Sequence, residues 1–273
     1  MISFARTAFI VIGAMFWGSE SPAQVFFVEP IEAGIFRSSD PTPTFLWQGK
    51  DSQAVLVMIP GGDGHLGLTA ERTDLGGFYG STLKRLSDPS LTSGSIDVVV
   101  FDSPYRLSPG STYPTSRTTS DHLSRIESVI RYYKNKFNRP VWLMGHSNGA
   151  VSVTEFWRSI YDGDNKNLIS GMIVSSSRNG ISFPDETDIP VLFLGHRKDG
   201  CPKASPHVTK RVYESMLSLG RNRVEHVLID GGEGQADNNC YSGYHVYFGA
   251  NAEAADVIDK FIAKSFVQAG HNP

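Results

Sequence analysis

Apolar residues in this chain fall into eight short runs separated by Gly-, Pro- and Ser-rich stretches. The runs lie at 25–28, 44–47, 54–59, 96–101, 141–144, 171–174, 191–194 and 224–229. Each has the length of a strand, and each is too short for a buried helix. The first two sit among Pro30, Pro41 and Pro43, which predicts an antiparallel pair at one edge of a sheet. The others are continuously apolar, the pattern of parallel strands covered on both faces.

Between the runs the apolar period lengthens from two to between three and four. Leu123, Ile126, Ile130, Tyr133 and Phe137 form one helical stripe, with Ser120 placed to cap it. Ser205-Pro206 opens a second helix, with Val208, Val212, Met216 and Leu219 on one face and Gly220 at its end. A third begins at Asn251, with Ala254, Val257, Ile258, Phe261 and Ile262 inward. Strands and helices alternate to the end of the chain. That order predicts an α/β fold, a mostly parallel central sheet with helices on both faces and right-handed crossovers. Ligands of such sheets bind beyond the carboxyl ends of the strands, so chemistry belongs to the loops that follow them.

One of those loops carries a specific signal. The run Val141-Trp142-Leu143-Met144 leads into Gly145-His146-Ser147-Asn148-Gly149, and a helix-compatible stretch from Ala150 to Trp157 follows. A strand that turns sharply into a helix needs small residues at the crossing. Gly145 and Gly149 flank a serine that such a turn would hold at its tip. This is a nucleophile elbow, G-x-S-x-G, in its strand–turn–helix context. The five letters alone would be a weak signal.

A serine hydroxyl needs a base to take its proton, and the base needs a third group to orient it. Of the eight histidines, only His245 lies between the last strand and the last helix, in Gly243-Tyr244-His245-Val246-Tyr247. Asp199 follows the strand at 191–194 and precedes Gly200 on a tight turn, which makes it the candidate acid. Asp102 and Asp230 compete for that role and read better as turn or cap carboxylates. An oxyanion needs two donors. The backbone N–H of Asn148 is one, and the glycine-rich Pro60-Gly61-Gly62-Asp63-Gly64 after the third run supplies the other, Gly62 first and Asp63 second. A phosphate cradle is the other use of such a loop, but no Lys-Ser/Thr pair follows it here.

Composition narrows the class without naming a substrate. The 273 residues carry a net charge of −3, which gives no reason to expect nucleic acid or an anionic membrane as partner. Residues 1–23 combine Arg6, an apolar run from Ala8 to Trp17 and small residues at Ser21 and Ala23. This reads as a cleavable secretory signal; a membrane anchor would need about 20 apolar residues. Residues 24–273 then form one domain, secreted or periplasmic, with no stable membrane insertion after cleavage. Its only cysteines, Cys201 and Cys240, are too few for a structural zinc site, and no metal or cofactor is expected. In an exported protein the pair reads most simply as a disulfide, and as two free thiols if the signal reading fails. A bond would pin the Asp199 loop to the His245 loop.

With these residues in place, the chain resembles the α/β-hydrolase superfamily of serine esterases, lipases and peptidases. The resemblance spans residues 44–265 and rests on Gly145–Gly149, Gly61-Gly62, Asp199 and His245 in the order nucleophile, acid, histidine. It implies the α/β-hydrolase fold, a Ser147–His245–Asp199 triad and an oxyanion hole from Asn148 with Gly62 or Asp63. The chain departs from many esterases in reading Pro60-Gly61-Gly62 where they have His-Gly-Gly. Only residues 175–189 fill the place where many lipases insert a cap, so no helical lid is expected. It looks closer to a small exported family in which a cysteine near the acid and another before the histidine recur. The implied activity is hydrolysis of a small-molecule carboxylic ester through an acyl-enzyme. Peptidase or acyltransferase chemistry on the same triad, and a binding protein that keeps only the fold, are the alternatives. In the polar loop 102–118, Tyr105, Arg106 and Arg117 are candidate substrate contacts, with either arginine facing an anionic group.

Overall fold

The structure is a computed structural model that describes residues 24–31, 40–71, 75, 95–104, 106–107, 117–234 and 239–268. All eight expected strands form: β1 (Gln24–Val28), β2 (Thr42–Trp47), β3 (Ala54–Ile59), β4 (Ile96–Phe101), β5 (Val141–His146), β6 (Gly171–Ser175), β7 (Val191–His196) and β8 (Val224–Ile229). They make one sheet in the order β1-β2-β4-β3-β5-β6-β7-β8. β1 and β2 pair antiparallel, β2 runs antiparallel to β4, and every remaining pairing is parallel. β2 begins two residues earlier than the apolar run. Pro43 is accommodated there because it needs only its carbonyl, which accepts from Asp102 N at 2.9 Å at the end of the β4 ladder.

Four α-helices are described: α1 (Ser120–Phe137), α3 (Pro206–Ser218) and α4 (Asn251–Gln268) follow the predicted periods, and α2 (Gly149–Ile160) forms on the helix-compatible stretch after the elbow. The sheet separates two cores. Val141 and Leu143 of β5 pack with Ile126, Val129 and Ile130 of α1 and Val153 and Phe156 of α2. Trp142 and Met144, pointing the other way, pack with Ala254, Ile258 and Phe261 of α4. Strand period two thus loads both faces from one four-residue run. The connection from Ser176 to Pro190 contains neither helix nor strand, so no helical cap rises between β6 and β7.

Two local expectations change. The N-cap of α1 is Thr119, whose side chain accepts from His122 N, rather than Ser120, which already lies inside the helix. On α3 only Thr209 and Met216 are buried, while Leu219 is 46% exposed. That helix covers the β8 edge of the sheet, so its apolar face has less to lie against. The proposed signal, residues 1–23, lies outside the described residues.

Candidate active site

Ser147 sits at the tip of the β5–α2 turn with φ +53°, a left-handed conformation that a non-glycine residue holds only when its surroundings enforce it. The glycines enforce it by closeness. A Cβ on Gly145 would lie 2.3 Å from the Gly149 carbonyl oxygen, and one on Gly149 would lie 2.3 Å from the Ile59 carbonyl oxygen. β5, the start of α2 and the end of β3 therefore touch backbone to backbone. Ser147 N donates to Ser175 O at 2.8 Å, which ties the turn to the end of β6. The hydroxyl is lifted above the sheet at the N-terminus of α2, where the helix dipole favours negative charge.

Three strand-following loops converge on that hydroxyl. His245, on a 3-10 turn between β8 and α4, places Nε2 2.9 Å from Ser147 Oγ. Its Nδ1 lies 2.8 Å from Asp199 Oδ2. An ionised carboxylate has no hydrogen to give, so Nδ1 carries the proton and Nε2 is left to accept from the serine. The other Asp199 oxygen, Oδ1, accepts from Cys201 N at 2.9 Å. Cys201 is bonded to Cys240, and that disulfide joins the acid loop to the segment leading into His245. His245 is fully buried, Asp199 nearly so, and Ser147 is 7% exposed. The competing acids are engaged elsewhere. Asp102 accepts from the N–H groups of Leu66 and Leu68, and Asp230 meets Arg197 at 3.3 Å on the surface.

Ser147, Asn148 and Gly62 line a pocket of about 270 Å³, together with Arg178, Lys203, Tyr241 and the disulfide. Gly62 follows β3 with φ +58°. Its carbonyl accepts from Asn148 Nδ2 at 2.9 Å and from Arg117 Nη2 at 3.0 Å, so the glycine-rich loop is tied directly to the residue after Ser147. The side chain of Asp63, in the same loop, meets Arg106 at 2.8 Å.

Arg117, a candidate substrate contact in the sequence, is buried behind the pocket. It has no solvent exposure and donates to Gly61 O, Gly62 O and Ser152 Oγ, at 3.2, 3.0 and 3.0 Å. Ser152 is in turn 2.9 Å from His122 Nε2. Burial first, then the charges of Arg117 and Arg125, hold His122 well below the ordinary histidine range, so it is neutral. Arg117 thus braces the loop after β3 against α1 and α2. Its partners lie some 35 to 56 residues away in the chain, and no local pattern could have named them. Arg106 is largely exposed and held by Asp63; Tyr105 lies outside the described residues.

A second network, also invisible in the sequence, underlies the histidine. Tyr247 is fully buried, and its hydroxyl is 2.8 Å from Ser175 Oγ, 3.1 Å from Ser176 Oγ and 3.1 Å from Leu194 O. It clamps the His245 turn onto the ends of β6 and β7. Ser175 Oγ also lies 3.0 Å from His146 Nδ1, and the His146 ring sits 5.4 Å from the His245 ring. Burial, and secondarily His245, push His146 well below the ordinary range. A neutral His146 avoids a second positive charge beside His245.

No protein-family model matches the sequence, and no curated protein matches it. Solved structures do match in three dimensions. A lidless α/β serine hydrolase from Xanthomonas campestris superposes with TM-score 0.56 at 11% identity, covering 89% of this chain and 94% of that one. A dienelactone hydrolase from Anabaena variabilis gives 0.56 at 10% identity, covering 90% and 99%. Carboxyl esterase 2 from the fungus Tuber melanosporum gives 0.54 at 13% identity, covering 90% and 88%. Strand order, the turn at Ser147 and these superpositions agree: the chain has the α/β-hydrolase fold.

Proposed function

We propose that the protein is an exported serine hydrolase that cleaves a carboxylic ester through an acyl-enzyme on Ser147. His245 Nε2 takes the Ser147 proton as Oγ attacks the ester carbonyl, and the carboxylate of Asp199 stabilises the imidazolium that forms. The developing oxyanion accepts from the backbone N–H groups of Asn148 and Gly62, at the positive end of α2. His245 then returns the proton to the leaving alcohol. A water activated by the same imidazole attacks the acyl carbon, frees the acid and restores Ser147.

The observation that carries this reading is the unbroken pair of hydrogen bonds, 2.9 and 2.8 Å, from the Ser147 hydroxyl through His245 to Asp199. Names of solved structures with this fold, an esterase and a dienelactone hydrolase among them, point the same way. Export is supported by the character of residues 1–23 and by the disulfide. No helix among the described residues is long and apolar enough to cross a membrane.

A fluorophosphonate probe tests the core of the proposal. The wild-type chain should be labelled and should release alcohol from short-chain esters, and Ser147→Ala should do neither. A folded wild-type protein that resists labelling would overturn the enzyme reading and leave a binding protein on a hydrolase scaffold.

A further inference from the structure

Two cations, Arg178 and Lys203, line the pocket that contains Ser147, and no carboxylate lines it among the described residues. Asp199, the nearest acid in sequence to Lys203, is turned away and consumed by His245 and Cys201 N. Neither cation has a carboxylate partner among the described residues, unlike Arg106 and Arg197, which meet Asp63 and Asp230.

The two loops that carry them are held next to each other by backbone hydrogen bonds. Arg178 N donates to the carbonyl of Ser147 itself at 3.2 Å, so its position is set by the nucleophile turn. Asn179, the next residue, cross-braces the second loop. Its N–H donates to Lys203 O at 2.7 Å, its Nδ2 donates to Pro202 O at 3.0 Å, and its Oδ1 accepts from Ser205 N at 2.9 Å. The Cys201–Cys240 bond anchors the same loop from its other side. The backbone order required to present two positive charges beside the reacting centre is therefore already in place before any ligand arrives.

From this we infer that the pocket selects an ester bearing an anionic group, carboxylate or phosphate, within a few bonds of the scissile carbonyl, recognised by Arg178 and Lys203. The inference rests on the ester-hydrolase reading above and adds the substrate class. A guanidinium and an ammonium both donate hydrogen bonds to an oxyanion, and an uncharged pocket wall would discriminate only by size. The pocket volume of about 270 Å³ suits a small acid rather than a long lipid chain.

Two matched ester pairs test it. Mono-4-nitrophenyl glutarate is compared with 4-nitrophenyl pentanoate, which places the charge on the acyl side. The butyrate ester of glycolic acid is compared with ethyl butyrate, which places it on the alcohol side. The wild-type protein should favour the anionic member of at least one pair by about tenfold in kcat/KM, and the preference should shrink as salt rises. Arg178→Gln and Lys203→Gln should each lower that ratio, and the exposed Lys203→Glu should reverse it. Fluorophosphonate labelling of each variant reports that its reacting centre is intact. Equal rates within both pairs, or a ratio untouched by all three substitutions, would overturn the anion subsite and leave the hydrolase reading standing. No turnover of any of the four esters, with no labelling, would overturn both.

Discussion

Arg117 donates to the Gly62 carbonyl at 3.0 Å from a position with no access to solvent. The residue thereby acts on the pocket from behind, through the backbone of the loop it holds. Arg117→Met removes the donors to Gly61 O, Gly62 O and Ser152 Oγ; Gly64 N and Asn148 Nδ2 still satisfy the two carbonyls, so the cost is that of the lost charge-assisted hydrogen bonds, about 1.5–3 kcal/mol each. Beyond that loss of stability, kcat should drop at least tenfold with KM little changed, because the oxyanion donor would lose its fixed position. Chemical denaturation and steady-state kinetics on the same variant separate the two effects. An unchanged kcat in a folded variant would remove Arg117 from any role in positioning.

The backbone contacts at the turn predict an intolerant position. Gly149→Ala drives a methyl into the Ile59 carbonyl, at 2.3 Å, where no flexible side chain can yield. We expect destabilisation of about 3 kcal/mol or more and loss of fluorophosphonate labelling. A urea melt of the variant beside the wild type gives the answer directly.

The disulfide closes a separation of 39 residues, worth about 4 kcal/mol in the chain-entropy picture. It also sits next to the Cys201 N–H that orients Asp199. Reduction, or Cys201→Ala with Cys240→Ala, should lower the denaturation midpoint and slow labelling of Ser147 together. A midpoint indifferent to reductant would mean that the bond contributes nothing to the folded chain.

Two buried histidines set a pH dependence. His122 faces Arg117, Arg125, Ser152 and the edge of the Phe101 ring, while His146 faces His245, Ser175 and Tyr247. Both have pKa values lowered well below 6.5 by burial. Below about pH 6.5 the unfolded chain therefore binds protons at these sites that the folded chain does not. Stability present at pH 7 should be lost on acidification, by at most about 1.4 kcal/mol per pH unit for each histidine. Asp102, raised by burial to about 6, works in the opposite sense: the folded chain takes up its proton first, which offsets one histidine between about pH 6 and 4. Denaturation curves from pH 7.5 to 5.5 should show the decline, and His122→Gln should flatten it. A steeper slope in that variant would contradict the assignment.

Much of this protein could be read from its sequence because the relevant physics is local. Apolar runs and helical periods placed the eight described strands and three of the described helices, since a run such as Val141–Met144 must alternate its side chains between two faces wherever it lies. The elbow was legible for the same reason: Gly145, Ser147 and Gly149 each answer a requirement set by their neighbours. His245 and Asp199 could be proposed because, in a mostly parallel sheet, chain order dictates which loops share an end. Tertiary structure alone decided which polar residues of those loops turn inward. Nothing in the sequence marked Arg117 or Tyr247 as a buried brace, and their hydrogen-bond partners lie tens of residues away. Arg178 and Lys203 became neighbours only when Asn179 tied their loops together. Periodicity records which face of an element is buried, but a hydrogen bond between distant loops depends on where packing finally sets them, and no single segment contains that information.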